Sequence, residues 1–126
     1  MEDEKTNEIQ ERLLKFSVDI ILVLRKLNDT VENKVIKYQL IKSASSSGAN
    51  YEEAQAASSK ADFINKVKIS LKEARESNYW IKILVAINND QSIQPNLMKL
   101  LNESSQLKKI LGSIASRSTN NLNSQK

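Results

Sequence analysis

The stretch Ser43–Trp80, SASSSGANYEEAQAASSKADFINKVKISLKEARESNYW, constrains the fold more than any other part of the chain. It opens with tiny residues at helical spacing, breaks near Ser58-Ser59, and continues as a charged amphipathic helix. Tiny side chains on one helix face let a neighbouring helix come close, so the run reads as a helix–helix contact. Gly48 should cost its helix about 1 kcal/mol relative to Ala, which suits a position against a near neighbour. The GANY tetrapeptide is not a phosphate loop, because no Lys followed by Ser or Thr stands at the required spacing.

Apolar residues recur with a 3.6-residue period in four segments. The first runs from about Glu4 to Asn28, with Ile9, Leu13, Phe16, Ile20, Leu24 and Leu27 on one stripe. A second stripe, Leu14, Val18 and Ile21, widens its apolar face. Asn28-Asp29-Thr30 reads as a turn and cap. The second segment runs from Thr30 to Ser58 and faces inward through Ile36, Leu40, Ala44, Ser47, Gly48, Tyr51 and Ala54. Ser59-Lys60-Ala61-Asp62 resembles a capping box that starts a third helix, which runs to about Asn88. Phe63, Ile64, Val67, Leu71, Ala74, Asn78 and Ile81 form its core side. Pro95 suits the first turn of a fourth helix ending near Ser116. That helix carries Leu97, Leu100, Leu101, Ser104, Leu107, Leu111 and Ile114 on one stripe. Short connections favour antiparallel neighbours, so the expected fold is all-α: an antiparallel up-down-up-down four-helix bundle. Residues 1–7 form a polar N-terminal segment, 8–116 the bundle, and 117–126 a polar tail expected to fray.

Two absences narrow the chemistry. The chain has no cysteine, which excludes disulfides and thiolate metal sites. It has no histidine, which removes the commonest general base and metal ligand. Bundle di-iron sites need Glu-x-x-His pairs, so Glu52/Glu53 and Glu73/Glu76 do not read as one. Those carboxylates read as solvated or interhelical side chains, and no enzymatic activity, metal or cofactor is expected. Asn50 and Glu53, flanking the small-residue face, are expected to hydrogen-bond across to the third helix or to another subunit. The acidic start, MEDEKTNEIQ, is not a secretory signal. The most apolar run, Val18–Leu24, is far shorter than the roughly 20 residues of a membrane span. The expected location is the cytoplasm, away from membranes.

Charge is distributed unevenly. Residues 1–58 hold 8 Lys/Arg against 10 Asp/Glu, and residues 59–126 hold 11 against 5. Within the basic half, Lys68, Lys72, Arg75 and Lys82 recur at helical spacing with Tyr79 among them, all on one side of the third helix. Cations interleaved with an aromatic ring suit a phosphate backbone and a stacked base. Lys99, Lys108, Lys109 and Arg117 on the fourth helix could extend this patch. The competing reading is an ordinary wet face with Lys stems lying along the helix. Trp80, Ile69 and Ile83 form a second apolar strip on the third helix, matching Leu14, Val18 and Ile21 on the first. A helix with two apolar sides is either central or pressed against another subunit. These six residues are therefore the candidate oligomer interface.

Ser45-Ser46-Ser47-Gly48-Ala49-Asn50, Glu53, Ala57-x-Ser59-Lys60-Ala61-Asp62-Phe63-Ile64, Ile69-x-Leu71-Lys72-Glu73-Ala74-x-Glu76 and Tyr79-Trp80 together resemble a known signature. It is that of the four-helix-bundle family of 23S rRNA intervening-sequence proteins. Leu111-Gly112-Ser113-Ile114 extends the resemblance, which covers about residues 8–116. It implies a bacterial source and assembly into a homopentameric barrel. It also implies kinship with the accessory variability protein of diversity-generating retroelements, a basic pentamer that partners a reverse transcriptase and binds nucleic acid. No catalytic motif comes with the family. Candidate partners are further copies of the chain, RNA or DNA, a reverse transcriptase and a ribosomal component.

The leading expectation is a non-enzymatic homo-oligomeric protein that contacts RNA or a ribonucleoprotein through Lys68, Lys72, Arg75, Tyr79 and Lys82, with Lys108 and Lys109 secondary. The alternative is a protein-interaction scaffold or accessory subunit with no direct nucleic-acid contact. In that case the apolar strips and Trp80 carry the interface, and the Lys residues keep the surface solvated.

Overall fold

The computed structural model describes residues 4–124, with side chains from Glu8 to Ser124. Four helices follow one another: α1 (Glu4–Leu24), α2 (Val31–Gln55), α3 (Lys60–Ile87) and α4 (Gln94–Ser124). They alternate in direction around a square, as short connections require. The most intimate pair is α2–α3 and the loosest is α1–α4, while the diagonal pairs stay apart. The architecture is the all-α four-helix bundle read from the periodicity. Residues 1–3 of the expected polar segment and the last two residues of the expected tail lie outside the described residues, while residues 4–7 open α1.

The helix ends follow their sequence signals. Thr30 caps α2 by accepting a hydrogen bond from the Asn33 backbone N–H at 3.1 Å. Ser59 does the same for α3 through the Asp62 N–H at 3.0 Å. The Asp62 carboxylate reaches back to the N–H of Ser58 at 3.2 Å, one residue beyond a capping box's usual target. The first helix stops at Leu24, short of the expected Asn28, because its last turn tightens through Lys26 N–H to Val23 O and Leu27 N–H to Leu24 O. Lys37 Nζ then takes the Leu27 carbonyl at 2.7 Å and Asp29 at 2.9 Å. The second helix ends at Gln55, ahead of the expected Ser58, where Ala56 caps it. Between α3 and α4 a polar loop closes on itself: Asn88 Nδ2 donates to Gln94 Oε1 at 2.6 Å, and Ser92 donates to the Asp90 carboxylate from both Oγ and N–H. Those two bonds hold the Asp90 carboxyl below the usual carboxylate range.

The core follows the predicted stripes, joined by Val23, Leu84, Ile93 and Ala115, which belong to none of them. Leu13, Ile20, Leu24, Leu40, Val67, Ile81, Leu84, Leu97, Leu107 and Leu111 are almost wholly buried. Each contributes about 2 kcal/mol by leaving water, against a few tenths for a surface helix pair. Phe63, Leu101 and Ile114 pack at its rim.

The seam between α2 and α3 is built from hydroxyls. Ser43, Ser47, Ser70 and Ser77 are fully buried. Ser47 Oγ donates to the Ser70 carbonyl at 2.9 Å, and Ser70 Oγ returns the bond to the Ser47 carbonyl at 2.7 Å. Further along the seam, one turn back on α2 and two turns on along α3, Ser43 and Ser77 share a hydrogen bond of 2.8 Å. Burying a hydroxyl is costly only when it is left unpaired, and these are all paired. Gly48 meets α1: a Cβ built there would sit 3.6 Å from Leu13 Cβ and 3.8 Å from its carbonyl oxygen. The small-residue run is thus a close helix contact, as read, with room for one methyl group.

Two expectations need correction. The fourth helix does not end at Ser116. It continues through Ser124, because the segment after Ser116 has no Gly or Pro, and Thr119 Oγ1 bonds the Ala115 carbonyl at 2.7 Å. The second stripe of α1 does face outward: Leu14 and Val18 are 67% and 46% exposed. Asn50 does not reach α3; its amide bonds the Ser46 carbonyl of its own helix at 2.9 Å, and Glu53 is exposed. Four-residue spacing brings the Asn50 donor back onto its own turn before it can reach another helix.

Candidate nucleic-acid interface

The third helix shows its core stripe to the bundle and one flank to α2. On the other flank it leans on α4 through Leu71 and Asn78. Helical spacing puts Lys68, Lys72, Arg75, Tyr79 and Lys82 just outside that second flank. Because α4 runs antiparallel beside it, Lys108 and Lys109 arrive level with Arg75–Lys82. Two adjoining hollows result. One, of about 450 Å³, is lined by Lys68, Lys72 and Arg75 from α3 with Ser116, Thr119 and Asn120 from α4. The other, of about 550 Å³, is lined by Arg75, Asn78, Tyr79, Lys82, Lys108, Lys109 and Gly112. Arg75 belongs to both, so the hollows form one groove. All seven residues expected from the sequence line it, and no carboxylate does. Lys99 and Arg117 line neither hollow.

Among the described residues none of these cations forms an ion pair. A contrast lies on the other side of α4, where Arg12 holds Glu103 with two bonds, 2.7 Å from Nη2 and 3.1 Å from Nε. The hydrogen bond to Glu103 raises the Arg12 guanidinium above its ordinary value. Arg12 is therefore satisfied within the fold, whereas Lys68, Lys72, Arg75, Lys82 and Lys109 point into solvent.

One cation in the groove is held in place. Asn78 is 2% exposed. Its Nδ2 donates to Ser104 Oγ at 2.8 Å and Ser105 Oγ at 3.1 Å, and its Oδ1 accepts from Lys108 Nζ at 3.1 Å. The half-buried Lys108 ammonium uses one of its three donors there, leaving two for a ligand. The sequence placed Asn78 on the core stripe but gave it no task. A polar amide at an apolar stripe position was the available signal; its partners on α4 were not visible. Tyr79 is 60% exposed, and its ring sits edge-on to Trp80 with centroids 5.7 Å apart.

The six expected interface residues fall on two different sides of the bundle. Leu14, Val18 and the half-buried Ile21 lie on the outer side of α1; Ile69, Trp80 and Ile83, all half-buried, lie on the α2-facing flank of α3. One chain does not bring the two groups together. The Trp80 Nε1 is buried and finds no hydrogen-bond acceptor. The carboxylates do not gather: Glu52 accepts from Gln10 at 2.9 Å, and no group of three potential metal ligands exists among the described residues. No helix among those residues is long and apolar enough to cross a membrane.

Comparison with known proteins agrees with this architecture. The family model for the 23S rRNA-intervening sequence protein matches residues 5–113, and the chain belongs to that family. A solved structure from Bacteroides thetaiotaomicron, described as a protein of unknown function from the S23 ribosomal protein family, is 36% identical. It superposes with a TM-score of 0.76, covering 89% of this chain and 98% of that one. No curated protein sequence matches the chain.

Proposed function

We propose that this member of the 23S rRNA-intervening sequence protein family is a non-enzymatic, homo-oligomeric binding protein that contacts RNA or a ribonucleoprotein through the α3–α4 groove. The observation that carries this reading is the convergence of six cations and one exposed tyrosine on a groove with no carboxylate in its lining. A phosphate backbone supplies the missing negative charge and releases its own counterions on binding. A homopentamer would repeat the groove around a ring, so that weak sites on one nucleic acid act together. The exposed Leu14 and Val18 support self-assembly, since apolar side chains lined up on a helix surface gain from being covered.

The test is retention of RNA by purified protein across a salt series. Binding that is present at low ionic strength and falls linearly in log–log form with salt supports the reading. No retention at low salt sinks it. The absorbance ratio and particle mass before and after nuclease report bound nucleic acid and oligomer size together.

A second reading rests on the same apolar strips. Here the chain is a scaffold or accessory subunit, for example of a reverse transcriptase, and Leu14, Val18 and the Trp80 strip meet the partner. A complex that survives nuclease and high salt, and is unchanged when Lys68, Lys72 and Arg75 become Glu, favours it over the first.

A further inference from the structure

We infer that the α3–α4 groove selects single strands over duplexes, with one unpaired base stacked on Tyr79 and the adjoining phosphate on the Asn78-anchored Lys108 ammonium. This deepens the nucleic-acid reading and rests on it. Three observations point the same way. First, Tyr79 is 60% exposed in the midst of Arg75, Lys82, Lys108 and Lys109. An aromatic face among cations has no use for a duplex, whose bases are already stacked on one another, but it offers a platform to a splayed base. The edge-on contact with Trp80 braces the ring, so little side-chain freedom is lost when a base lands on it.

Second, the groove has the shape of a strand. The cation row from Lys68 to Lys82 spans about 21 Å at ~1.5 Å per residue. The hollow around Tyr79 holds about 550 Å³, within the range that encloses a small molecule of nucleotide size and far short of a double helix's girth. Gly112 keeps its α4 wall low: a Cβ there would meet nothing nearer than Leu71 Cδ1 at 4.0 Å.

Third, Lys108 is ordered before any ligand arrives. Its ammonium rests 3.1 Å from Asn78 Oδ1, and Asn78 is itself fixed by Ser104 and Ser105. A surface lysine gives up rotamer entropy when it binds a phosphate; this one is already held by a hydrogen bond and has less to give up. The site therefore combines an anchored cation, a braced ring and exposed flanking cations.

The experiment is fluorescence anisotropy at low ionic strength with a labelled ten-nucleotide single-stranded RNA and a ten-base-pair RNA duplex. The expected result is about tenfold tighter binding of the single strand, the size of one base–aromatic stack. Tyr79→Leu should remove that preference while leaving duplex binding unchanged, and Tyr79→Phe should keep it. Tyr79 is an exposed side chain, so neither change threatens folding. Equal binding of both probes, or equal loss of both in Tyr79→Leu, overturns the single-strand inference and leaves the phosphate-contact reading standing. Failure of both probes to bind overturns both readings.

Discussion

The two flanks of α3 are both polar, and they do opposite things. Toward α2 the helix presents Ser70 and Ser77, fully buried and bonded to Ser47 and Ser43. Toward α4 it presents Lys68, Lys72, Arg75 and Lys82, which form no ion pair among the described residues. What separates a structural polar surface from a candidate binding surface is not polarity but satisfaction. Hydroxyls that donate and accept within the fold have nothing left to offer. Cations that form no ion pair within the fold keep their charge available to a ligand. Asn78 stands between the two kinds: it closes its own hydrogen bonds inside the bundle and so steadies one cation outside it.

The contrast can be broken most severely on the buried flank. Ser70→Leu forces an isobutyl group into the α2–α3 seam and removes the hydroxyl that donates to the Ser47 carbonyl. It should cost about 3 kcal/mol, read from the denaturant midpoint. If it costs almost nothing, the seam is looser than its hydrogen bonds indicate. On the open flank, changing Lys68, Lys72 and Arg75 together to Glu should leave stability within about 0.5 kcal/mol. The same triple change should weaken RNA binding about a hundredfold and flatten its salt dependence. A large stability loss in that variant would mean these cations have partners inside the fold after all.

The border residue sharpens the comparison. Asn78→Ala deprives Ser104, Ser105 and Lys108 of their partner and should cost about 2 kcal/mol in unfolding titrations. RNA affinity of the folded variant should drop by a factor of about three to five, because Lys108 must then be ordered on binding. Unchanged affinity would separate the two flanks completely. The smallest effect is expected at Gly48→Ala, where the new methyl group meets Leu13 at ordinary contact distance. A gain of about 0.5–1 kcal/mol should appear as a higher melting temperature.

The periodic residues made most of this legible in advance. Ile9, Leu13, Phe16 and Ile20 announce α1 because apolar burial is the largest favourable term and leaves a 3.6-residue trace. Thr30 and Ser59 announce caps because few residue types can do that work. The row Lys68–Lys82 was readable because one helix carries it. What hydropathy could not reveal was which serines go inside. Ser43, Ser70 and Ser77 look like surface residues until their partners on the facing helix are known. The same limit applied to Lys108, whose place beside Asn78 depends on how α4 docks.

The reciprocal bonds between Ser47 and Ser70 have one more consequence. Leu and Ile side chains in a helix interface can be re-paired one turn along, and packed helices do shift past one another by such a step. Two hydroxyls that each bond the other's backbone carbonyl match at one axial setting only. A slide of about 5.4 Å, one helical turn, would break both bonds and leave two buried hydroxyls without their partners across the seam. The serines therefore index α2 against α3 as a key indexes a shaft. Since α3 carries the cation row, that index also fixes where the row stands along the bundle.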